Sequence, residues 1–159
     1  MAGEMRKMDH LDGKILELFQ HDTRRTAASI GAKVGLSAAA VQRRLKRLRE
    51  TGVIRAEVAV LNGVAVGASI TCIVTLAARS PPSQLDRFKK QLCALPRVQQ
   101  CCHVTGSDDL VLVVTSTSME EYGQFMRAHL ESSQLIHRYE TLVVLDRVKV
   151  GLSLPIATD

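Results

Sequence analysis

The 159-residue sequence predicts an α+β protein with two parts, a small helical domain and a larger domain in which helices cover one face of an antiparallel sheet. Three observations support this prediction. Apolar residues recur at helical spacing through the first 55 residues, and a strand–helix–strand pattern occurs twice after residue 69. Charge divides the same way, because the first 55 residues hold twelve bases and six acids, against nine bases and ten acids in the rest.

The overall composition is that of a globular protein, with 46% hydrophobic and 23% charged residues. Aromatic residues make up only 3%, which disfavours base stacking of the kind used by single-strand binders. Residues 58–78 carry no charge, but interspersed Gly, Asn, Ser and Thr predict a loop and a buried strand rather than a membrane helix. With no apolar leader and no C-x-x-C, the sequence predicts a cytoplasmic protein with reduced thiols.

Metal binding and catalysis are both disfavoured. Cys101, Cys102 and His103 are adjacent, but neighbours in a strand point to opposite faces, so at most two of them can share an ion. His103 and His137 lack a nucleophile or acid in a recognisable motif. We therefore expect no metal, no cofactor and no enzymatic activity.

The helical part predicts three short helices. Asp9 precedes the first, and Thr26 is a suitable N-cap for the second, which ends at Gly35. Ser37 caps a third helix over residues 38–51, in which Val41, Leu45 and Leu48 form one apolar stripe. Two helices joined by a tight turn, the second one basic, indicate a helix-turn-helix. The extended run after Gly52 predicts a wing.

The third helix is the candidate DNA-binding element, because an exposed basic helix fits the major groove. Ala39, Gln42 and Arg43 are the predicted base readers, and Arg44, Lys46 and Arg47 the predicted phosphate ligands. A solvated basic surface or a protein-docking module remains an alternative at this point. The full set of candidate DNA-binding residues is Ser37, Ala38, Ala39, Gln42, Arg43, Arg44, Lys46 and Arg47.

The larger part predicts a ferredoxin-like β-α-β-β-α-β domain. Its predicted strands cover residues 70–77, 98–105, 110–116 and 136–145, and its predicted helices cover residues 81–95 and 119–130. In three of the strands the residues that point to both faces of the sheet are apolar, whereas two helices can cover only one face. The uncovered face predicts a homodimer formed through the sheet. The predicted domains are therefore residues 1–55, a wing strand and linker over residues 56–69, and residues 70–159.

The sequence resembles the Lrp/AsnC transcription regulators over about residues 8–155. The matching segments are LDGKIL at 11–16, DTR at 22–24, VGLSAAAVQRRLKRL at 34–48, GVI at 52–54, VTGSDD at 104–109 and ETLVVL at 140–145. The resemblance implies a sequence-specific regulator of double-stranded DNA that responds to an amino acid or a related metabolite. It also implies dimers, or dimers that assemble into octamers.

Carried onto this chain, the resemblance places the recognition helix at residues 37–51 and an amino-acid effector site at Gly106, Ser107, Asp108 and Asp109, facing His137 and Thr141. A carboxylate there can pair with the ammonium of an amino acid. Two alternatives stay open. Residues 106–109 also suit a plain hairpin turn, and the chain can instead be a metabolite-sensing or protein-interaction module that no longer binds DNA. Ala38, Ala39 and Ala40 depart from the family pattern and leave base readout to Gln42, Arg43, thymine methyls and DNA shape.

Overall fold

The computed structural model describes residues 8–156, and its element order confirms the α+β prediction. The helices and strands are α1 (His10–Phe19), α2 (Ala27–Val34), α3 (Ala38–Glu50), β1 (Ile70–Ala78), α4 (Pro82–Cys93), β2 (Val98–His103), β3 (Leu110–Ser116), α5 (Met119–Met126) and β4 (Ile136–Val143). A π-helical turn, Arg127–Glu131, continues α5. The chain divides into two compact units, one formed by Met1–Ala59 with Lys149–Asp159 and the other by Val60–Val148.

The helical unit begins each helix with a side-chain cap that its sequence supplies. Asp9 accepts a hydrogen bond from the backbone N–H of Asp12, and Asp12 accepts one from that of Asp9. Thr26 and Ser37 cap α2 and α3. Between these two helices, Gly31 approaches the turn so closely that an added Cβ would lie 2.3 Å from the carbonyl oxygen of Leu36. A side chain at position 31 would therefore push the turn away from α2. The buried core of the unit consists of Ile15, Phe19, Ile30, Val41 and Leu45.

Residues 149–156 belong to the compact helical unit rather than to the larger one. Gln20, at the C-terminus of α1, donates from its amide nitrogen to the carbonyl of Leu154 and accepts from the N–H of Leu154, both at 2.9 Å. The side chain of Gln20 thus satisfies both backbone groups of Leu154, as a neighbouring strand would. The compact larger unit ends at Val148, whereas the predicted domain extends to residue 159.

No strand forms within residues 53–69, so the predicted wing strand is wrong. The chain instead makes a turn in which the side chain of Asn62 accepts hydrogen bonds from the N–H groups of Val64 and Ala65. Gly67 then takes a positive φ of 81°. A strand needs a neighbour to satisfy its backbone groups, and the apolar residues Val60 and Leu61 lie exposed with no such ladder.

The larger unit has the predicted topology, a four-stranded antiparallel sheet in the order β2-β3-β1-β4. In β1, Cys72, Val74 and Leu76 are fully buried, and register pairs them with Val114, Leu112 and Leu110 of β3. The remaining core residues, among them Leu92 of α4 and Phe125 of α5, lie on the same side. The helices therefore cover one sheet face, which is the ferredoxin-like arrangement.

Glu121 in the first turn of α5 fixes that helix to the end of β3. Its carboxylate accepts hydrogen bonds from the hydroxyl and N–H of Thr117 and from the hydroxyl of Ser116, and it pairs with Arg97. These donors, Thr117 first, lower the pKa of Glu121 to about 2. The carboxylate stays ionised and keeps the start of α5 attached to the sheet.

Candidate nucleic-acid interface and ligand site

Helix α3 has one face in the core and one face in solvent. Val41, Leu45 and Leu48 are buried, whereas Ala39, Gln42, Arg43 and Lys46 are exposed on the other side. Ser37 is exposed at the start of the helix, but its hydroxyl already accepts the N–H of Ala40. Ala38 is half-buried. The exposed set Ala39, Gln42, Arg43 and Lys46 is called the outer strip of α3 below.

Arg44 and Arg47 differ from the outer strip because they bind a buried acid. Asp12 is 0% exposed, and its carboxylate accepts from Arg44 at 2.8 Å and from Arg47. Arg44 also pairs with Asp9 at 2.7 Å. These hydrogen bonds lower the pKa of Asp9, chiefly through Arg44, and raise the pKa of Arg44, chiefly through Asp9. A buried carboxylate is stable only when such partners compensate its charge.

This ion-pair network involves Arg44 and Arg47, two residues that the sequence predicts as phosphate ligands. Their guanidinium groups are engaged within the fold, with side-chain exposures of 23% and 36%. A signal for this was present in the sequence. Asp12 precedes Ile15 by three residues and Leu16 by four, which places it on the apolar side of α1, where an acid requires cationic partners from another element.

The other α3 cations are more available. Among the described residues, Arg43 makes no ion pair, and Lys46 has only a 3.8 Å contact with Glu50 between two exposed side chains. Arg49 pairs with Glu57 at 2.7 Å and lies over the ring of Phe19. The outer strip thus carries two cations that the fold leaves to solvent.

In the larger unit, the loop of residues 106–109 joins β2 to β3. Gly106 has a φ of 127°, a backbone conformation that favours glycine, and Ser107 is exposed. Asp108 forms an ion pair with Arg138 of β4 at 2.7 Å. Asp109 is committed to the fold, since its carboxylate accepts the N–H of Ala78 at 2.7 Å. Both predicted carboxylates of this loop therefore already have partners within the fold.

The two residues predicted on β4 differ in their surroundings. His137 is exposed near the start of the strand. Thr141 lies further along, opposite Val74, and its hydroxyl is 2.6 Å from the hydroxyl of Tyr122 on α5. The structure thus pairs Asp108 with Arg138, a residue that the sequence analysis did not select. The hydroxyl of Thr141 contacts Tyr122 of α5 instead of the loop.

Two family models match the chain along most of its length. The AsnC-type helix-turn-helix domain matches residues 8–49, and the Lrp/AsnC ligand binding domain matches residues 71–154. The chain belongs to the Lrp/AsnC family. It is a DNA-binding transcriptional regulator rather than an enzyme, as the sequence predicted.

Full-length relatives support the same assignment. The chain is 40% identical to an HTH-type transcriptional regulator of Sinorhizobium fredii over 94% of its own length and 89% of that protein. It is 30% identical to the leucine-responsive regulatory protein of Rhizobium meliloti, covering 90% of this chain and 92% of that one. These matches include both units of this Lrp/AsnC protein.

Solved structures agree in fold over nearly the whole chain. An AsnC family transcriptional regulator from Agrobacterium tumefaciens is 30% identical with a TM-score of 0.85, covering 93% of this chain and 97% of that one. A transcriptional regulator from Neisseria meningitidis in complex with L-Met is 28% identical with a TM-score of 0.86, covering 94% and 97%. This confirms the two-part architecture of the regulator.

Two further features of the described residues bear on the sequence predictions. Within residues 8–156, no helix has the length and apolar character that a membrane span requires. The same residues contain no group of three or more His, Cys, Asp or Glu side chains placed to hold a metal ion.

The buried carboxylate of Asp12 yields a stability prediction. We expect Asp12→Ala to lower the free energy of unfolding by about 1–3 kcal/mol, because Arg47 loses this partner and Arg44 is left with Asp9. The loss stays below the roughly 3–5 kcal/mol of a fully buried pair because both arginines keep some access to water. Urea unfolding followed by circular dichroism measures it. Glu17→Ala on the exposed side of α1 is the matched control, and an equal loss in both variants would contradict the role of Asp12.

Proposed function

We propose that α3 of this regulator enters the major groove of duplex DNA and presents its outer strip to the base edges. Arg43 and Gln42 donate to bases, the methyl group of Ala39 contacts thymine, and Lys46 neutralises a phosphate. The observation that supports this proposal is that the two sides of α3 differ. Arg44 and Arg47 form ion pairs within the fold, whereas Arg43 and Lys46 are exposed. Ser37 and Ala38 approach the DNA backbone at the start of the helix.

Arg44 and Arg47 act in this proposal as positioning residues. Their pairing with Asp12 fixes the rotation of α3 about its own axis and so determines which side chains face the groove. The family shows that the chain is a DNA-binding regulator. The roles of the individual side chains are our proposal.

Salt titration separates the two kinds of DNA contact. Lys46→Ala should weaken binding to all sequences alike and reduce the slope of log K against log salt by about 0.9, the value of one phosphate contact. Arg43→Ala should lower discrimination between the preferred site and unrelated DNA by about 1–3 kcal/mol. Fluorescence anisotropy with labelled duplexes measures both.

Lys14→Ala, an exposed cation on α1, is the control and should leave the discrimination unchanged. An absence of salt-dependent DNA binding in the unmodified protein would instead favour the alternative, a sensing or interaction module that no longer binds DNA.

We further propose that the larger unit binds an amino acid at the loop of residues 106–109. Asp108 and Arg138 lie side by side with opposite charges, as the ammonium and carboxylate of a zwitterion do, so each can bind one end of the ligand. The N–H groups beside Gly106 offer further donors to the carboxylate, and the proposed site includes the exposed His137 of β4. The relative in complex with L-Met supports this ligand class. No other cofactor is proposed.

Thermal-shift screening with the protein amino acids tests this site. The unmodified chain should gain a ligand-dependent rise in Tm, and Asp108→Asn should remove it because the ammonium loses its partner. Asp86→Asn on α4 is the matched control, since it also removes a carboxylate from an ion pair, in that case with Lys89. A shift that survives Asp108→Asn would place the ligand elsewhere.

We propose that the regulator is a cytoplasmic homodimer formed through the uncovered sheet face, with assembly of dimers into octamers as the larger form. Ile73 of β1 and Val111 and Val113 of β3 share that face and stay partly exposed. The hydroxyl oxygen of Thr75, in their midst, is buried without a hydrogen-bond partner among the described residues. Such a face requires cover.

Sizing with light scattering tests the dimer. The unmodified protein should have at least twice its 17.4 kDa chain mass. Val113→Lys should reduce the mass to that of one chain, because it places a charge on the apolar face. Gln124→Lys, on an exposed position of α5, should leave the mass unchanged. A single-chain mass for the unmodified protein would refute the proposal.

A further inference from the structure

The segment after β4 is attached to the rest of the protein at two places. Near its start, the guanidinium of Arg147 donates a hydrogen bond to the hydroxyl of Thr71 on β1. Near its end, the side-chain amide of Gln20 donates to the carbonyl of Leu154 and accepts from its N–H, both at 2.9 Å. The first attachment lies within the larger unit and the second within the helical unit. Residues 148–153 between them, called the tail below, form no helix or strand.

Hydrogen bonds rather than apolar packing hold the end of the tail. The side chains of Val150, Leu152 and Leu154 are 68%, 82% and 70% exposed. The amide of Gln20, in contrast, uses both its donor and its acceptor on the backbone of Leu154. Its other partner is the carboxylate of Glu17, one turn earlier on α1, at 3.3 Å. Gln20 is therefore the side chain on which this attachment depends.

The attachment adds a second and shorter connection between the two units. The first connection begins after Glu57, which pairs with Arg49 of α3 at 2.7 Å, and ends where β1 begins at Ile70. Its twelve residues, 58–69, span at most about 40 Å when extended, whereas the six residues of the tail span at most about 20 Å. While Gln20 holds the tail, the shorter segment limits the freedom of the helical unit. Without that attachment, only the longer connection remains.

We propose that Gln20 is a specificity-determining positioning residue, which restricts the separations of DNA half-sites that the regulator recognises. The inference rests on the proposed function, since it requires two copies of α3 joined in one dimer. Joining two binding modules raises affinity by about 10²- to 10⁴-fold, but only where the connections reach both sites. A short connection loses this gain at unsuitable separations, whereas a long connection keeps it. Gln20 thus selects DNA sites by their spacing, although it is not among the residues proposed to contact DNA.

This role differs from that of the outer strip of α3. Gln42 and Arg43 are proposed to read the bases of one half-site, so their loss changes which sequence is preferred. The hydrogen bonds of Gln20 lie at the C-terminus of α1 and include none of the ion pairs that hold α3. Loss of the attachment should therefore change the spacing of the selected half-sites and leave their sequence unchanged.

Selection from a pool of random-sequence duplexes tests the inference. Duplexes that bind the intact chain are recovered, amplified and sequenced, and the separations of paired half-sites are counted. The unmodified protein should enrich one narrow range of separations. Gln20→Leu should enrich the same half-site sequence. Its preference for that range over separations longer by one helical turn, about 10 bp, should fall by about tenfold or more.

Two further variants assign the effect to the tail. Leu154→Pro removes the backbone N–H that donates to Gln20 and should broaden the range of separations in the same way. Combined with Gln20→Leu it should add little, because both substitutions act on one attachment. Glu17→Ala removes the other partner of the Gln20 amide and is the matched control, which should keep the narrow range. Hydrogen exchange of the Leu154 amide proton, followed by NMR, should be faster in Gln20→Leu than in the unmodified protein.

The outcomes separate this inference from the proposed function. Unchanged separations in Gln20→Leu and Leu154→Pro would refute the inference alone. A broadened range in Glu17→Ala, a changed half-site sequence in Gln20→Leu, or equally fast exchange of the Leu154 amide in both proteins would do the same. If the unmodified protein enriches no paired half-sites, the proposed function fails and the inference fails with it.

Discussion

The helical unit depends on one buried charge. Asp12 is on the apolar side of α1, and a carboxylate without water is stable only beside cations. Arg44 and Arg47 of α3 meet that need and thereby lock one side of the recognition helix to α1. The same contact leaves the opposite side exposed. The ion pairs thus engage two cations of α3 and leave Arg43 and Lys46 exposed.

Much of this unit could be predicted from the sequence because its determinants are local. Helical periodicity defines the three helices, Ser37 and Thr26 supply their caps, and Gly35 has the positive φ that ends α2. The ion pairs could not be predicted in the same way. They join residues 32 and 35 positions apart, and helical spacing within α3 alone does not distinguish Arg44 from Arg43.

In the larger unit, the pattern of apolar residues along the chain predicted the strands and the uncovered sheet face. The side-chain contacts of the loop of residues 106–109 depend on how the strands pair, which this pattern does not give. Asp108 and Asp109 are chemically equivalent neighbours in the sequence. The turn directs one to an ion pair with Arg138 and the other to the N–H of Ala78. The prediction of a wing strand was wrong for a related reason. An extended segment becomes a strand only where a neighbouring strand accepts its hydrogen bonds.

The connectivity of the chain joins the proposed ligand site to the proposed DNA-binding helix. Arg138 lies on β4, and the chain after β4 leaves the larger unit at residue 148 and ends in the helical unit, where Gln20 holds Leu154. Gln20 is the C-cap of α1, whose first turn contains Asp12. The segment after β4 therefore connects the proposed ligand site covalently to α1, whose Asp12 pairs with Arg44 and Arg47 of α3. Residues 59–60 form the other covalent link between the two units.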